Sequence, residues 1–145
     1  EGEVVYVARS AQRRVMSIAL MPGSRLPAYC TSMGRVLLAA LPEAEAKRRL
    51  AAMRRDARTD LTETDLDRLM ALIATVRAQG FAVIDQEVEM GLRSIAVPLY
   101  DAHGRIVAAL NLGLPVRGEA VSEIATRYLP ELKAVQGELR RVLRG

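Results

Sequence analysis

Residues 93–113 read RSIAVPLYDAHGRIVAALNLG, and this stretch decides the fold. Two apolar runs, 93–100 and 105–112, flank a short polar segment in which Gly104 suits the left-handed position of a tight turn. Another apolar run, 81–87, precedes them. We therefore predict three closely spaced strands, of which the last two form a β-hairpin.

The two faces of this hairpin differ in side-chain size, because successive side chains alternate between faces. One face is large and aliphatic: Ile95, Val97, Leu99, Ile106, Ala108, Leu110 and Leu112. The other is small and mildly polar: Ser94, Ala96, Pro98, Val107, Ala109, Asn111 and Gly113. Interiors are close-packed, so a helix or a small molecule must fill the space above the small side chains. Pockets are mostly apolar with a few polar groups, which favours a ligand held by Asp85, Ser94 and Asn111.

The rest of the chain shows helical periodicity with strands at its start. The predicted elements are strands over 4–9 and 14–20, helices over about 31–40, 42–55 and 63–79, and a helical tail after 119. Thr62 is the predicted cap of the third helix, and Gly80 its end. Pro130 is predicted to split the tail into two helices. Clustered strands and clustered helices indicate an α+β fold with a largely antiparallel sheet.

Length and composition predict one cytoplasmic domain. The 145 residues are half apolar and about a quarter charged, which excludes low-complexity disorder. Cys30 is the single cysteine, which excludes a disulfide scaffold and fits a reducing compartment. We find no run of about 20 apolar residues and no signal peptide, and therefore expect no membrane partner.

The net charge of +4 raises the question of nucleic-acid binding. Aromatic residues make up only 3% of the chain, which argues against single-strand binding. The densest basic cluster alternates with apolar residues at helical spacing: Lys47, Arg48, Arg49, Arg54, Arg55 and Arg58. We interpret it as a solvated helix face.

We predict from the sequence that the protein is not an enzyme and that it binds no metal or cofactor. His103, the single histidine, lies in the predicted hairpin turn. A Cys30–His103 nucleophile pair is conceivable, although no local motif supports it. Nucleophile-elbow, phosphate-loop and dinucleotide motifs are absent from the sequence.

The segment Thr31–Gly34 opens a helix, and the first amides of a helix have no intrahelical partner. Such an end binds carboxylates readily, so we expect an acidic ligand to dock on Ser32, Met33 and Gly34. Arg14 is the alternative anchor, and the sequence leaves the choice open. Arg93 is disfavoured because its parity puts it on the aliphatic face.

Two segments resemble the effector-binding domain of IclR-type transcriptional regulators. The first is LPAYCTSMGRVLLA at 26–39, and the second is GFAVIDQE at 80–87 followed by GLRSIAVPL at 91–99 and GRIVAAL at 104–110. With the initial strands, the resemblance covers essentially the whole chain. It is nearest to the subgroup controlling protocatechuate and 4-hydroxybenzoate catabolism, the β-ketoadipate pathway.

The resemblance implies a GAF-like, roughly six-stranded curved antiparallel sheet flanked by helices. It also implies a small aromatic or dicarboxylic acid effector, such as 4-hydroxybenzoate, protocatechuate or β-ketoadipate, and self-association into dimers or tetramers. Full-length relatives carry an N-terminal winged helix-turn-helix, which we do not find here. Residues 1–145 are thus expected to form a single sensing domain that reaches operator DNA only through that missing domain.

The family's pocket positions, matched residue by residue, fall on these residues: Ser32, Met33, Gly34, Asp85, Ser94, Asn111 and Gly113. We add Ala96 and Ala109 from the small face. The alternative function is an oligomerisation or protein-interaction module with a vestigial pocket.

Overall fold

A computed structural model describes residues 2–10 and 22–143 of the chain. In chain order the elements are β1 (Glu3–Val5), β2 (Arg25–Pro27), α1 (Ser32–Ala39), α2 (Glu43–Ala52), α3 (Leu66–Gln79), β3 (Ala82–Asp85), β4 (Leu92–Tyr100), β5 (Ile106–Pro115) and α4 (Val121–Val142). Strands and helices are clustered along the chain, and every strand pair described is antiparallel. The predicted α+β class is confirmed.

The described strands form two sheets, one of β1 and β2 and one in the order β3-β4-β5. This is fewer than the expected six strands. The predicted strand 14–20 lies outside the described residues. The predicted strand 4–9 is only three residues long as β1, and its partner β2 was predicted as loop. A three-residue strand such as β2 is too short to show period-two alternation.

The three-stranded sheet separates two helical layers. Helix α1 contacts β3, β4 and β5, and α3 packs on α1, whereas α4 contacts β3, β4 and β5. The two hydrophobic clusters are correspondingly distinct, one built on α1 and α3 and one on α4. The sheet therefore has one face toward α1 and the other toward α4.

Helix α4 is continuous, so the predicted break at Pro130 is wrong. Proline removes one helical hydrogen bond, the one that its missing N–H would donate to the Thr126 carbonyl. Pro130 is exposed, and the apolar stripe that includes buried Ile124 and Leu132 continues on both sides of it. Burial of that stripe outweighs the lost hydrogen bond.

Capping groups set the other helix boundaries. Thr31 caps α1 by accepting a hydrogen bond from the Gly34 amide. Asp65, and not Thr62, caps α3 by accepting from the Arg68 amide, while the Thr62 hydroxyl accepts from Arg58 and Thr59. Gly80 ends α3 in the left-handed conformation, with φ of 82°.

The β4–β5 turn is the predicted hairpin. Gly104 has φ of 78°, and the buried Asp101 carboxylate accepts hydrogen bonds from the His103 and Arg105 amides at 2.8 and 2.9 Å. His103 is exposed in this turn. No helix in the described part of the chain is long and apolar enough to span a membrane.

The basic cluster around α2 is paired with local acceptors. Glu45 binds Arg48 and Arg49, and Arg54 binds Asp56. Arg55 donates to backbone carbonyls at the end of α2, including those of Leu50 and Met53. These contacts fit the interpretation of the cluster as a solvated helix face.

Candidate functional site

The start of α1 presents free hydrogen-bond donors. The first intrahelical bond is donated by Arg35 to the Thr31 carbonyl at 3.0 Å, so the Ser32 and Met33 amides precede it. The Ser32 hydroxyl is buried and has no hydrogen-bond partner among the described residues. Since a buried polar group without a partner is costly, this hydroxyl points to a missing partner.

Gly34 has a different role from the one predicted. Its amide donates to the Thr31 hydroxyl at 3.2 Å, so the cap uses it. A Cβ at this position would lie 2.2 Å from the Ala28 carbonyl oxygen and 2.4 Å from its Cα. Glycine is therefore required here because the loop before α1 passes against the helix.

The small-residue face is formed as the parity predicts. The register pairs Ser94 with Gly113, Ala96 with Asn111, and Pro98 with Ala109. Directly paired residues project to the same face of a sheet. On β4 the three small residues are buried, whereas their β5 partners Ala109, Asn111 and Gly113 are half-buried. The open part of this face lies over β5, an edge strand of the described sheet, where Leu110 and Leu112 on the opposite face are half-buried as well.

Helix α1 brings its first turn to one end of this face. At its other end, Ala39 and Ala40 line a cleft together with Pro98 and Tyr100. The Arg35–Glu87 ion pair ties the first half of α1 to the residues that follow β3, beside the start of β4. The Ser32 end of α1 is therefore directed toward the end of the sheet that carries Ser94 and Gly113.

Tyr6 is a half-buried residue whose position the sequence reasoning missed. It packs, like Ala109, against the large core cluster that includes Met33 and Ala96. Burial raises the pKa of its phenol, and a hydrogen bond with the Asn111 side chain lowers it in part. A long-range contact from a residue so near the start of the chain leaves no signal in local periodicity.

Asp85 does not lie on the small-residue face. The register pairs it with Arg93, whose guanidinium donates to the Asp85 carboxylate at 2.7 Å and to the Glu119 carbonyl at 2.9 Å. This is the face toward α4, where parity predicted Arg93. The expectation that Asp85 joins Ser94 and Asn111 is therefore wrong, because the register of β3 on β4 turns it away.

A buried ion pair holds the start of α1 in place. The Arg35 guanidinium donates to Glu87 at 2.6 Å and to the Tyr29 carbonyl at 3.0 Å. Glu87 also accepts from the Glu63 amide, and its carbonyl accepts from the Thr62 hydroxyl. The network joins three loops beneath the first turn of α1. An Arg and a Glu 52 residues apart gave no pairing signal in the sequence.

Three further residues from the sequence analysis are the alternative anchor Arg14 and the conceivable nucleophile pair Cys30 and His103. Arg14 lies outside the described residues. Cys30 is fully buried, and this burial raises the pKa of its thiol to about 11. It therefore carries little thiolate at neutral pH, while His103 sits in the exposed hairpin turn. Residues 2–10 and 22–143 contain no group of three His, Cys, Asp or Glu suited to a metal ion.

A small open cleft of about 80 Å³ lies at the far end of α1. Its lining is completed by Val36, Val76, Arg77, Gly80 and Ile106. The Arg77 guanidinium donates to the Ala39 and Leu41 carbonyls at 3.0 Å each. This arginine thus satisfies the C-terminal carbonyls of α1. None of the predicted site residues lines the cleft.

Comparison with known proteins gives one consistent family. Residues 1–139 match the model of the bacterial transcriptional regulator IclR C-terminal domain. The chain is 49% identical to the Pca regulon regulatory protein of Pseudomonas putida, over all of the chain and 50% of that protein. It therefore spans about half the length of this curated relative.

Solved structures agree with the sequence match. The inducer-binding domain of a PobR double mutant from Acinetobacter, in complex with 3-hydroxybenzoic acid, has a TM-score of 0.90 at 32% identity, covering 99% of this chain and 84% of that one. An IclR homologue from Microbacterium hydrocarbonoxydans complexed with 4-hydroxybenzoate has a TM-score of 0.80 at 26% identity, covering 97% and 57%. The chain belongs to the IclR family of bacterial transcriptional regulators, as their C-terminal domain.

Proposed function

We propose that this domain is a sensor for a small aromatic acid, bound between the start of α1 and the small-residue face of the sheet. The observation that carries the proposal is a convergence. The buried Ser32 hydroxyl has no partner among the described residues, and it begins a helix that packs on the sheet in which Ser94 pairs with Gly113 and Ala96 with Asn111.

The start of α1 is the proposed carboxylate end. The Ser32 and Met33 amides precede the first intrahelical hydrogen bond, the Ser32 hydroxyl has no partner among the described residues, and the helix dipole adds a favourable field. A carboxylate there satisfies the hydroxyl without bringing a second buried charge into the core. Arg14 is the alternative anchor for the carboxylate, and calorimetry on Arg14→Ala and Ser32→Ala distinguishes the two anchors.

The small-residue face is the proposed seat of the ring. Ala96, Ala109 and Gly113 leave volume above the sheet that their larger neighbours on the other face do not leave. Two relatives of the same fold are complexes with hydroxybenzoates, which supports an aromatic acid of this size. Protocatechuate shares the same chemistry, and β-ketoadipate tests whether a dicarboxylate without a ring suffices.

Calorimetry with 4-hydroxybenzoate and 4-hydroxybenzamide tests the carboxylate end. A charge-assisted hydrogen bond contributes about 1.5–3 kcal/mol, so the amide should bind roughly 10- to 100-fold more weakly. Equal affinities would eliminate a carboxylate anchor. A loss that disappears in Arg14→Ala but persists in Ser32→Ala would move the anchor to Arg14.

We further propose that, in the whole protein, occupancy of this site controls oligomeric state and operator binding. The domain alone carries dispersed, locally paired basic residues around α2 and offers no recognition helix among the described elements. It should therefore not bind operator DNA specifically. A sequence-specific gel shift with this chain at physiological salt would contradict the statement.

The second candidate function is an oligomerisation module without a working pocket. Val135 and Val142, one heptad apart on α4, are 42% and 72% exposed. That stripe favours association through α4. Saturable thermal stabilisation by an acid supports the sensor, since only a ligand of the folded state raises stability. Concentration-dependent association with no response to any of the three acids supports the module.

A further inference from the structure

The Thr31 hydroxyl connects the start of α1 to the strand before it. It accepts a hydrogen bond from the Gly34 amide at 3.2 Å and donates one to the Pro27 carbonyl at 2.8 Å. A hydroxyl has one donor hydrogen and two acceptor lone pairs, so both bonds can form at once. Pro27 is the last residue of β2, and Thr31 is buried. One buried side chain therefore joins the end of β2 to the first turn of the helix.

The backbone of α1 also lies directly against the loop that precedes it. A Cβ on Gly34 would overlap the Ala28 carbonyl, and residues 28–32 are all buried. Close-packed groups of this kind do not move independently, because any gap between them loses contacts. A displacement of the first turn of α1 therefore also displaces the loop.

The loop is in turn bonded to β1. The Ala28 amide donates to the Gly2 carbonyl at 2.8 Å, and β1 pairs antiparallel with β2, with Val4 opposite Leu26. Both of these side chains are buried in the same core cluster. Hydrogen bonds therefore link the first turn of α1, through the loop and β2, to β1.

In longer relatives, β1 corresponds to the element that follows the rest of the protein. The chain matches a C-terminal domain, and it covers 50% of the Pca regulon regulatory protein of Pseudomonas putida. The other half of such a protein is thus connected to this domain through the residues that correspond to β1.

We propose that Thr31 couples occupancy of the ligand site to β1, and so transmits ligand binding toward the part of the whole protein that precedes this domain. The inference rests on the proposed function, because the ligand must contact the first turn of α1 at Ser32 and Met33. A ligand there holds the first turn in place, and Thr31 and Ala28 extend this constraint to the β1–β2 pair. Opening of that pair then requires release of the ligand.

Amide hydrogen exchange measures this coupling. The Arg35 amide makes the first hydrogen bond of α1, to the Thr31 carbonyl. The Ala28 amide and the Tyr6 amide, which donates to the Ser24 carbonyl at 2.9 Å, report on the β1–β2 pair. 4-Hydroxybenzoate is added at about 100 times its dissociation constant, which slows any opening that must release the ligand by about 100-fold.

Three variants separate coupling from a general loss of stability. Thr31→Val removes both hydrogen bonds at similar side-chain size, whereas Thr31→Ser retains the hydroxyl. Asp65→Ala is a matched control, because it removes the N-cap of α3, which accepts from the Arg68 amide at 2.9 Å, and leaves the contact with β2 intact. Calorimetry sets the ligand concentration for each variant, and a thermal melt verifies its folding.

In the unaltered chain, the acid should slow exchange at Arg35, Ala28 and Tyr6 alike, by about 100-fold. The Asp101 amide, which donates to a carbonyl in the distant β4–β5 turn, should slow much less. Thr31→Ser and the α3 control should behave in the same way. In Thr31→Val the slowing at Arg35 should remain, and that at Ala28 and Tyr6 should fall to the level of Asp101.

Two results would overturn the coupling role while the sensor function stands. One is slowing at Arg35 alone in the unaltered chain, a comparison that does not depend on any variant folding. The other is undiminished slowing at Ala28 and Tyr6 in folded Thr31→Val. Absence of saturable binding to the unaltered chain would contradict both proposals.

Discussion

The two faces of the β3-β4-β5 sheet are built from alternate residues of the same strands, yet they are filled in different ways. Toward α4, Ile95, Val97 and Leu114 are buried against Ile124 and Leu132. Toward α1, the strands present small side chains, and those on β5 are half-buried. The faces differ in side-chain size and not in exposure, because on the edge strand β5 Leu110 and Leu112 are half-buried just as Asn111 and Gly113 are.

This difference separates a structural role from a binding role within one sheet. Large aliphatic side chains contribute about 1.5–3 kcal/mol each on burial, so the α4 face carries stability. Alanine and glycine contribute little on burial. Where such small residues face the start of a helix, the sheet is stabilised less and more space is left for a ligand. The predictions below test this division, from the largest expected effect to the smallest.

Removal of Glu87 should produce the largest effect, because it leaves the buried Arg35 guanidinium without its partner. Breaking a buried ion pair costs about 3–5 kcal/mol, so Glu87→Ala should lower the free energy of unfolding by that amount. Glu3→Ala breaks the exposed pair with Arg25 and should cost at most about 1 kcal/mol. Urea denaturation measures both, and similar losses would show that the network does not hold α1.

A smaller side chain on the α4 face should lower stability, whereas a larger side chain on the small-residue face should lower ligand affinity. Ile95→Ala opens a cavity in the α4 face and should cost about 2–5 kcal/mol without changing ligand preference. Gly113→Leu adds a side chain at a position where a Cβ would lie 3.9 Å from the side chain of Leu92. It should fold normally and lose ligand affinity by more than about 10-fold. Normal binding by Gly113→Leu would mean that no ligand occupies this face.

The buried thiol beneath α1 should make stability fall in alkali. The pKa of Cys30 is raised to about 11 from 9.0 by burial, so the unfolded chain loses this proton first. Its contribution is complete below pH 9 and is lost as pH rises through 11, amounting to about 2–3 kcal/mol. Cys30→Ala should flatten this part of the stability–pH curve. A slope identical in both proteins would assign it to other groups, such as Tyr6 and Tyr29.

Asp85→Ala should have the smallest effect on ligand choice. It removes one acceptor of Arg93, which still donates to the Glu119 carbonyl, so the loss of stability should be about 1–2 kcal/mol. The ratio of affinities for 4-hydroxybenzoate and benzoate should not change, because Asp85 faces α4. A selective loss of 4-hydroxybenzoate binding would show that Asp85 contacts the ligand.

The sequence predicted what depends on local periodicity. Alternation along 93–113 correctly gave the hairpin and most of its two faces, and the pattern around Thr31 gave the start of α1. Ile106 was assigned to the wrong face, because a register shift at Leu99/Tyr100 pairs it with Tyr100 and brings it into the cleft with Pro98. Parity also put Arg93 on the aliphatic face. In each case the residues that decide the structure lie within a few positions of one another.

What the sequence left undecided or led us to misassign depends on distant contacts. The face of Asp85 follows from the register of β3 on β4, which parity within one strand does not contain. The Arg35–Glu87 pair and the Tyr6–Asn111 contact join residues far apart in the chain. The helix break predicted at Pro130 is wrong because the packing of the 22-residue amphipathic helix α4 outweighs the local effect of one proline.

Amide chemical shifts of the folded domain, followed during titration with 4-hydroxybenzoate, test the central claim most directly. We expect the largest changes at Ser32, Met33, Asn111 and Gly113, which would join the start of α1 to the open part of the small-residue face. Changes confined to Val76–Gly80 and Tyr100 would place the ligand in the cleft at the other end of α1 and contradict the account.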